Sequence, residues 1–183
     1  MESPADGQTD NRRPSPAWIA VGAIALFVAV LFGFALRARP TVSLQVGSLV
    51  PDLTLTAFDG SAIDLRAQQG KVVVINLFAS WCAPCRQEAA DLEQTWREYR
   101  DRPVQFLGIT YKDTAAKAQA FLQEFGVSYP CGQDPGGRIA RAYGVTGVPE
   151  TFIVDQHGRL VRHILGPVTQ SELSRELNRL LNP

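Results

Sequence analysis

Lys71-Val72-Val73-Val74-Ile75-Asn76-Leu77-Phe78-Ala79-Ser80-Trp81-Cys82-Ala83-Pro84-Cys85 is an apolar run that leads straight into two cysteines spaced to share one turn of helix. Val72 to Phe78 is nearly continuous in apolar residues, as expected of a central strand covered on both faces. From Pro84 onward, Ala89, Leu92, Trp96 and Tyr99 recur at helical spacing, and the pattern predicts a helix ending near Arg102-Pro103. Cys82 therefore falls at a helix N-terminus, where unpaired backbone N–H groups and the positive end of the dipole favour a thiolate. The thiolate is the attacking species in thiol–disulfide exchange. Cys82 reads as the exposed, attacking thiol and Cys85 as the one that resolves a mixed disulfide.

Outward from this junction the chain alternates strand and helix. Leu53 to Ala57, the Asp59-Gly60 turn and Ile63 to Leu65 read as an N-terminal hairpin. Val104 to Thr110 is the next strand, and Thr114 to Phe125 a helix closed by Gly126. After the Asp134-Pro135-Gly136-Gly137 loop comes a short helix, Arg138 to Tyr143. Thr151 to Val154 and Leu160 to Leu165 form a second hairpin around His157-Gly158. Thr169-Gln170-Ser171-Glu172 is a capping box that opens a last helix, with Leu173, Leu177, Leu180 and Leu181 on one face. That order predicts an α/β fold, a central sheet with helices packed on it.

Bulk properties narrow the function. Residues from Val42 onward carry 14 Lys+Arg against 15 Asp+Glu, a net charge of −1, with no basic run; nucleic acid is not an expected partner. Three cysteines in the whole chain are too few for a disulfide-stapled scaffold. Cys131 has no near partner and reads as a small apolar residue in a short strand. His157 and His163 flank the final turn and read as surface residues. Zinc would want four ligands where one pair is present, so no metal and no organic cofactor is expected. Trp18 to Leu36 is uncharged and long enough to cross a bilayer, and its exit offers no convincing cleavage site. The expected organisation is an N-terminal tail (1–17), a transmembrane anchor (18–36), a linker (37–45) and one domain (46–183). Thr41 to Val50 reads as a short tether. Arg12 and Arg13 before the span are matched by Arg37 and Arg39 after it, so charge leaves the orientation open.

Four motifs in order carry a resemblance: Gly70 to Glu88 around the Trp-Cys-Ala-Pro-Cys, Gly108-Ile109-Thr110-Tyr111-Lys112-Asp113, Gly144 to Phe152 around Val148-Pro149-Glu150, and Gly166-Pro167-Val168-Thr169. Together they resemble the membrane-anchored, thioredoxin-like thiol:disulfide oxidoreductases of the DsbE (CcmG), ResA and TlpA kind. The resemblance implies a thioredoxin-like fold and a protein on the outer side of the cytoplasmic membrane, its tail inside. It implies a reductant of apocytochrome c cysteines supplied by a DsbD- or CcdA-like membrane electron donor. A TlpA-like reductase of copper-site assembly proteins and a membrane-tethered metallochaperone are the alternatives.

The same resemblance assigns roles near the pair. Asn76 stands where ordinary thioredoxins carry a buried aspartate, and an amide cannot take the resolving thiol's proton. Glu88, one helical turn after Cys85, is positioned to tune or exchange that proton. Pro149 is expected to be cis, with the Val148 backbone pairing an extended substrate segment. Read from their own positions rather than from the resemblance, Trp81 is expected to shield the pair and contact substrate, and Glu150 to add an acidic lip to the same groove.

Overall fold

The computed structural model describes residues 16–35 and 44–182 of the 183-residue chain. The chain divides into two compact units, residues 1–40 and 41–183. In the first, α1 (Pro16–Ala35) is a 20-residue helix without a charge. The side chains of residues 20–30 are all exposed. Counted over the described residues, no helix is long and apolar enough to cross a membrane. The expected span, 18–36, runs beyond those residues, and most of the expected tail (1–17) and linker (37–45) lies outside them.

In the second unit the elements follow in the expected order. They are β1 (Thr54–Thr56), β2 (Ala62–Asp64), β3 (Val72–Phe78), α2 (Ala83–Tyr99), β4 (Val104–Thr110), α3 (Ala115–Glu124), β5 (Cys131–Gln133), α4 (Arg138–Ala142), β6 (Glu150–Val154), β7 (Leu160–Leu165) and α5 (Gln170–Leu181). β1 and β2 form a separate hairpin, and the other five strands make one mixed sheet in the order β5-β4-β3-β6-β7. β3 pairs parallel with β4 and antiparallel with β6. Every residue of β3 is buried, as its apolar run requires. Val72, Val74 and Phe78 join one core with α2 and α5, while Val73, Ile75 and Leu77 join a second with the hairpin and α4. Alternation along β3 places Asn76 on the first face, with its side chain toward α2.

Gly132 lets the β1–β2 hairpin close on the edge strand β5. An added Cβ there would stand 2.3 Å from the Thr56 carbonyl oxygen, and Ala57 bridges to Gly132 across this contact. The tether expectation is corrected at its C-terminal end. Gly47 N–H donates to the Leu160 carbonyl at 2.7 Å, and Leu160 N–H donates to that of Ser48 at 2.9 Å. From Gly47 the chain is already stitched to β7, because a polar backbone lying against a sheet edge finds its hydrogen bonds there.

Candidate active site

Cys82 is the N-cap of α2, with extended backbone angles (φ −87°, ψ 108°) and a sulfur that accepts the Cys85 N–H at 3.1 Å. Pro84 sits within the first turn, where its missing N–H costs nothing and its fixed φ suits the helix. A disulfide joins Cys82 to Cys85. That N–H is placed to donate to a Cys82 thiolate once the disulfide is reduced, a charge-assisted bond.

The expectation that Cys82 is exposed is corrected. Cys82 is 3% exposed and Cys85 1%, so burial does not distinguish them. Position does: Cys82 caps the helix, its sulfur 3.6 Å from the Val148 carbonyl oxygen, while Cys85 lies within the first turn of α2, although both belong to the same core cluster.

The Val148-Pro149 bond is cis, as expected. Glu150 follows it but is not a lip: it is 2% exposed. One carboxylate oxygen accepts from the Thr146 N–H (2.8 Å), the Thr146 hydroxyl (3.0 Å) and the Gly147 N–H (2.9 Å). The other lies 2.8 Å from His163 Nε2. A buried carboxylate surrounded by donors serves as a brace, and this one holds the loop that presents Val148. His163 is accordingly not a plain surface residue. It stacks on Phe152 with ring centroids 4.1 Å apart. His157 is exposed as expected.

Glu88 is sealed on the inner side of α2, 1% exposed. Its Oε1 accepts from Asn76 Nδ2 at 2.8 Å and its Oε2 from the Val168 N–H at 2.9 Å. Burial drives its pKa up to about 7 against an ordinary 4.5, with the Val168 and Asn76 donors opposing the rise and Asp91 adding to it. A carboxyl that changes charge near neutral pH, one turn beyond the resolving cysteine, is suited to exchanging that thiol's proton. Asn76 also donates to Thr151 Oγ1 at 3.0 Å, its cross-strand partner on β6.

Trp81 is 60% exposed, and its indole N–H donates to the Lys112 carbonyl at 3.3 Å. Beside it lies an open groove of about 710 Å³ whose walls include Tyr111, Lys112, Lys117, Gly136 and Arg141. Asp113 fastens this side of the site: its carboxylate accepts the Ser80 N–H at 2.7 Å and the Thr114 N–H at 2.8 Å. Cys131 is a free, buried thiol whose pKa burial pushes far up, which makes it a small apolar residue in practice. Among the described residues no group of three or more His, Cys, Asp or Glu side chains is placed to hold a metal ion.

The structure shows the expected Cys82–Cys85 pair as a disulfide and the expected cis bond at Val148-Pro149, and it places Glu88 one turn beyond Cys85 and Trp81 directly before Cys82. Sequence reasoning missed the brace formed by Glu150 with His163, the tie between Asp113 and Ser80, the bond that the Val168 N–H donates to Glu88 and the one that Asn76 donates to Thr151. Asp113 had a signal, being in the Tyr111-Lys112-Asp113 motif just before the helix-capping Thr114. The Val168 N–H had none, since a loop amide carries no mark of the side chain it will meet.

The family described as Redoxin matches residues 45–181. Thiol:disulfide interchange protein HelX of Rhodobacter capsulatus is 40% identical over 148 residues, covering 79% of this chain and 81% of that protein. Thiol-disulfide oxidoreductase ResA of Bacillus anthracis is 28% identical over 137 residues, covering 75% and 79%. The crystal structure of a thioredoxin-family thiol:disulfide interchange protein of Chlorobium tepidum superposes with a TM-score of 0.69 at 26% identity, over 75% of this chain and 99% of that one.

Proposed function

The chain belongs to the Redoxin family, among the thioredoxin-like thiol:disulfide oxidoreductases of the DsbE and ResA kind, and from that premise we propose that it is a reductant of apocytochrome c cysteines. In this reading the uncharged stretch 18–36 anchors the protein in the cytoplasmic membrane, the domain faces the extracytoplasmic side, and a DsbD- or CcdA-like membrane protein supplies electrons. The observation that carries the reducing direction is Glu88. An ionised carboxylate sealed near the pair repels a thiolate, and whatever disfavours the thiolate favours the disulfide, so the reduced pair gives up its electrons readily.

The mechanism follows from positions. An extended substrate segment lies along the Val148 backbone, which brings its disulfide to the Cys82 sulfur. The Cys82 thiolate attacks one substrate sulfur, and the other leaves as a thiolate that takes a proton from solvent. Cys85 loses its proton to Glu88 and attacks Cys82. The Cys82–Cys85 disulfide forms as the Cys82–substrate bond breaks, the second substrate sulfur leaves as a thiolate that takes a proton from solvent, and two electrons have passed from the protein to the substrate. A Cys-x-x-Cys-His haem-attachment segment has its cysteines close together, as an extended segment lying along Val148 beside Cys82 requires.

Deletion of the gene tests this. The expected result is a fall in covalently bound haem in c-type cytochromes that an added external thiol reductant reverses, because the deficit is one of electrons. Normal c-type cytochromes with a failed copper centre in cytochrome oxidase would sink the reading and favour a TlpA-like role. For the anchor, high-salt extraction is expected to leave full-length protein in the membrane fraction, with the domain open to protease added to spheroplasts. A soluble, N-terminally shortened species as the sole mature form overturns it.

A further inference from the structure

Asn76 sits in an otherwise apolar stretch of β3, fully enclosed, and it touches both the proton-exchanging carboxyl and the strand that follows the cis-proline loop. The two oxygens of Glu88 face only donors, Asn76 Nδ2 at 2.8 Å and the Val168 N–H at 2.9 Å. That arrangement suits the carboxylate. It does not suit the acid, whose new O–H on Oε1 would point at an N–H, and a buried polar group facing a like partner is costly. The amide has a second arrangement of nearly the same shape, with its oxygen and nitrogen exchanged. Thr151 Oγ1, 3.0 Å from Asn76 Nδ2, is a hydroxyl that accepts from an N–H or donates to a carbonyl oxygen equally well.

We propose that the Asn76 side-chain amide turns over with the proton on Glu88. With Glu88 ionised, Nδ2 donates to Oε1 and to Thr151. When Glu88 takes the Cys85 proton, so that an S–H bond breaks and an O–H bond forms on Oε1, Asn76 Oδ1 accepts from that O–H and from the Thr151 hydroxyl. The Val168 N–H stays on Oε2 in both states. Asn76 is thus a positioning residue that keeps both forms of Glu88 hydrogen-bonded, a service a fixed donor does not give. The inference rests on the thiol–disulfide activity and holds whichever protein disulfide is the substrate.

The disulfide form isolates the event, since its cysteines do not titrate. Of the groups interacting with Glu88, Asp91 shares its helix, while burial holds the Tyr129 phenol neutral across this range. His163, bonded to Glu150 next to Thr151, is followed separately by its own ring resonances. The experiment is an NMR titration of the oxidised full-length protein in detergent from pH 5 to 9. It follows the Glu88 carboxyl carbon together with the Asn76 amide protons and their contacts to Thr151. The expected result is one shared midpoint, with the contacts from the amide protons to Thr151 present at pH 9 and lost at pH 5. Unchanged contacts across the Glu88 titration overturn the proposal, because they leave Asn76 a fixed donor. Asn76→Leu gives an independent reading. A fixed donor stabilises only the carboxylate, and its loss raises the Glu88 midpoint by about one to two pH units. A turning amide serves both forms, so the expected shift is well under one unit, and a full-unit rise counts against turning.

Discussion

At the scale of single residues the site is asymmetric in chemistry although both sulfurs are buried. The Cys82 sulfur accepts the Cys85 N–H at 3.1 Å and lies 3.6 Å from the Val148 carbonyl oxygen, which is why the proposed mechanism makes it the attacking sulfur. Cys82→Ser is expected to abolish disulfide reduction, and Cys85→Ala to accumulate mixed disulfides resolvable on non-reducing gels. Accumulation in Cys82→Ser alone would reverse the roles. Glu88 leaves two separate traces. In the proposed mechanism Glu88 takes the Cys85 proton, and it is then expected to impose an inflection near pH 7 on the resolving step. Glu88→Gln removes that inflection and lowers the Cys85 thiol pKa, as thiol titration would show; superimposable curves would leave Glu88 without influence on the pair. Its second trace is in stability. Burial raises the folded pKa to about 7 from 4.5, so the neutral form favours the fold. That advantage is fully present below about pH 4.5 and is lost as pH rises through about 7. Between pH 5 and 8 the wild type is expected to lose about 2–3 kcal/mol of unfolding free energy that Glu88→Gln retains, measured by denaturant titration of the oxidised proteins.

At the scale of elements the site is an intersection of turns held by buried polar groups. The Thr146–Pro149 loop owes its place to Glu150. Glu150→Ala leaves the Thr146 and Gly147 N–H groups without their acceptor, and a loss of about 2–4 kcal/mol is expected. KM for a peptide disulfide is expected to rise, since the Val148 carbonyl is no longer fixed. Glu150→Gln keeps one oxygen for the loop and is expected to be mild; equal damage from both variants would mean that the charge, not the acceptor, matters. Where β4 meets β5 the packing is closer than the sequence suggests. A Cβ on Gly108 would stand 2.4 Å from Cys131 Sγ, so Gly108→Ala is expected to lower the melting temperature. Cys131→Ala in the same chain removes the offending sulfur and is expected to restore much of the loss. Additive damage in the double variant would place the strain elsewhere.

At the scale of the whole molecule, the Redoxin match over 45–181 and the compact unit 41–183 coincide. Both hydrophobic cores lie within that unit, so a chain beginning at Thr41 is expected to unfold in one cooperative transition and to reduce a disulfide peptide at the full-length rate. Loss of cooperativity on truncation would show that residues 1–40 stabilise the domain.

The sequence by itself determined the sheet's central strand, the helix that follows it, the placement of Cys82 at that helix's N-terminus and the capping box of α5. Each is a local matter, written in side-chain periodicity and in residues that satisfy their own neighbouring backbone. It also singled out Glu88 by its spacing from Cys85, because helical geometry is regular enough to place a residue one turn on. What surrounds Glu88 was decided by tertiary structure: Asn76 comes from β3, 12 residues before it, and the Val168 N–H from a loop 80 residues after it. The inversion of Glu150 from an expected groove lip to a buried brace has the same origin. A carboxylate's role depends on which donors reach it, and those donors arrive from Thr146 and Gly147 on a cis-proline turn and from His163 across a strand pair. Burial and hydrogen-bond partnership are properties of the packed chain, and they alone separate a solvated acid from one that exchanges a proton near neutral pH.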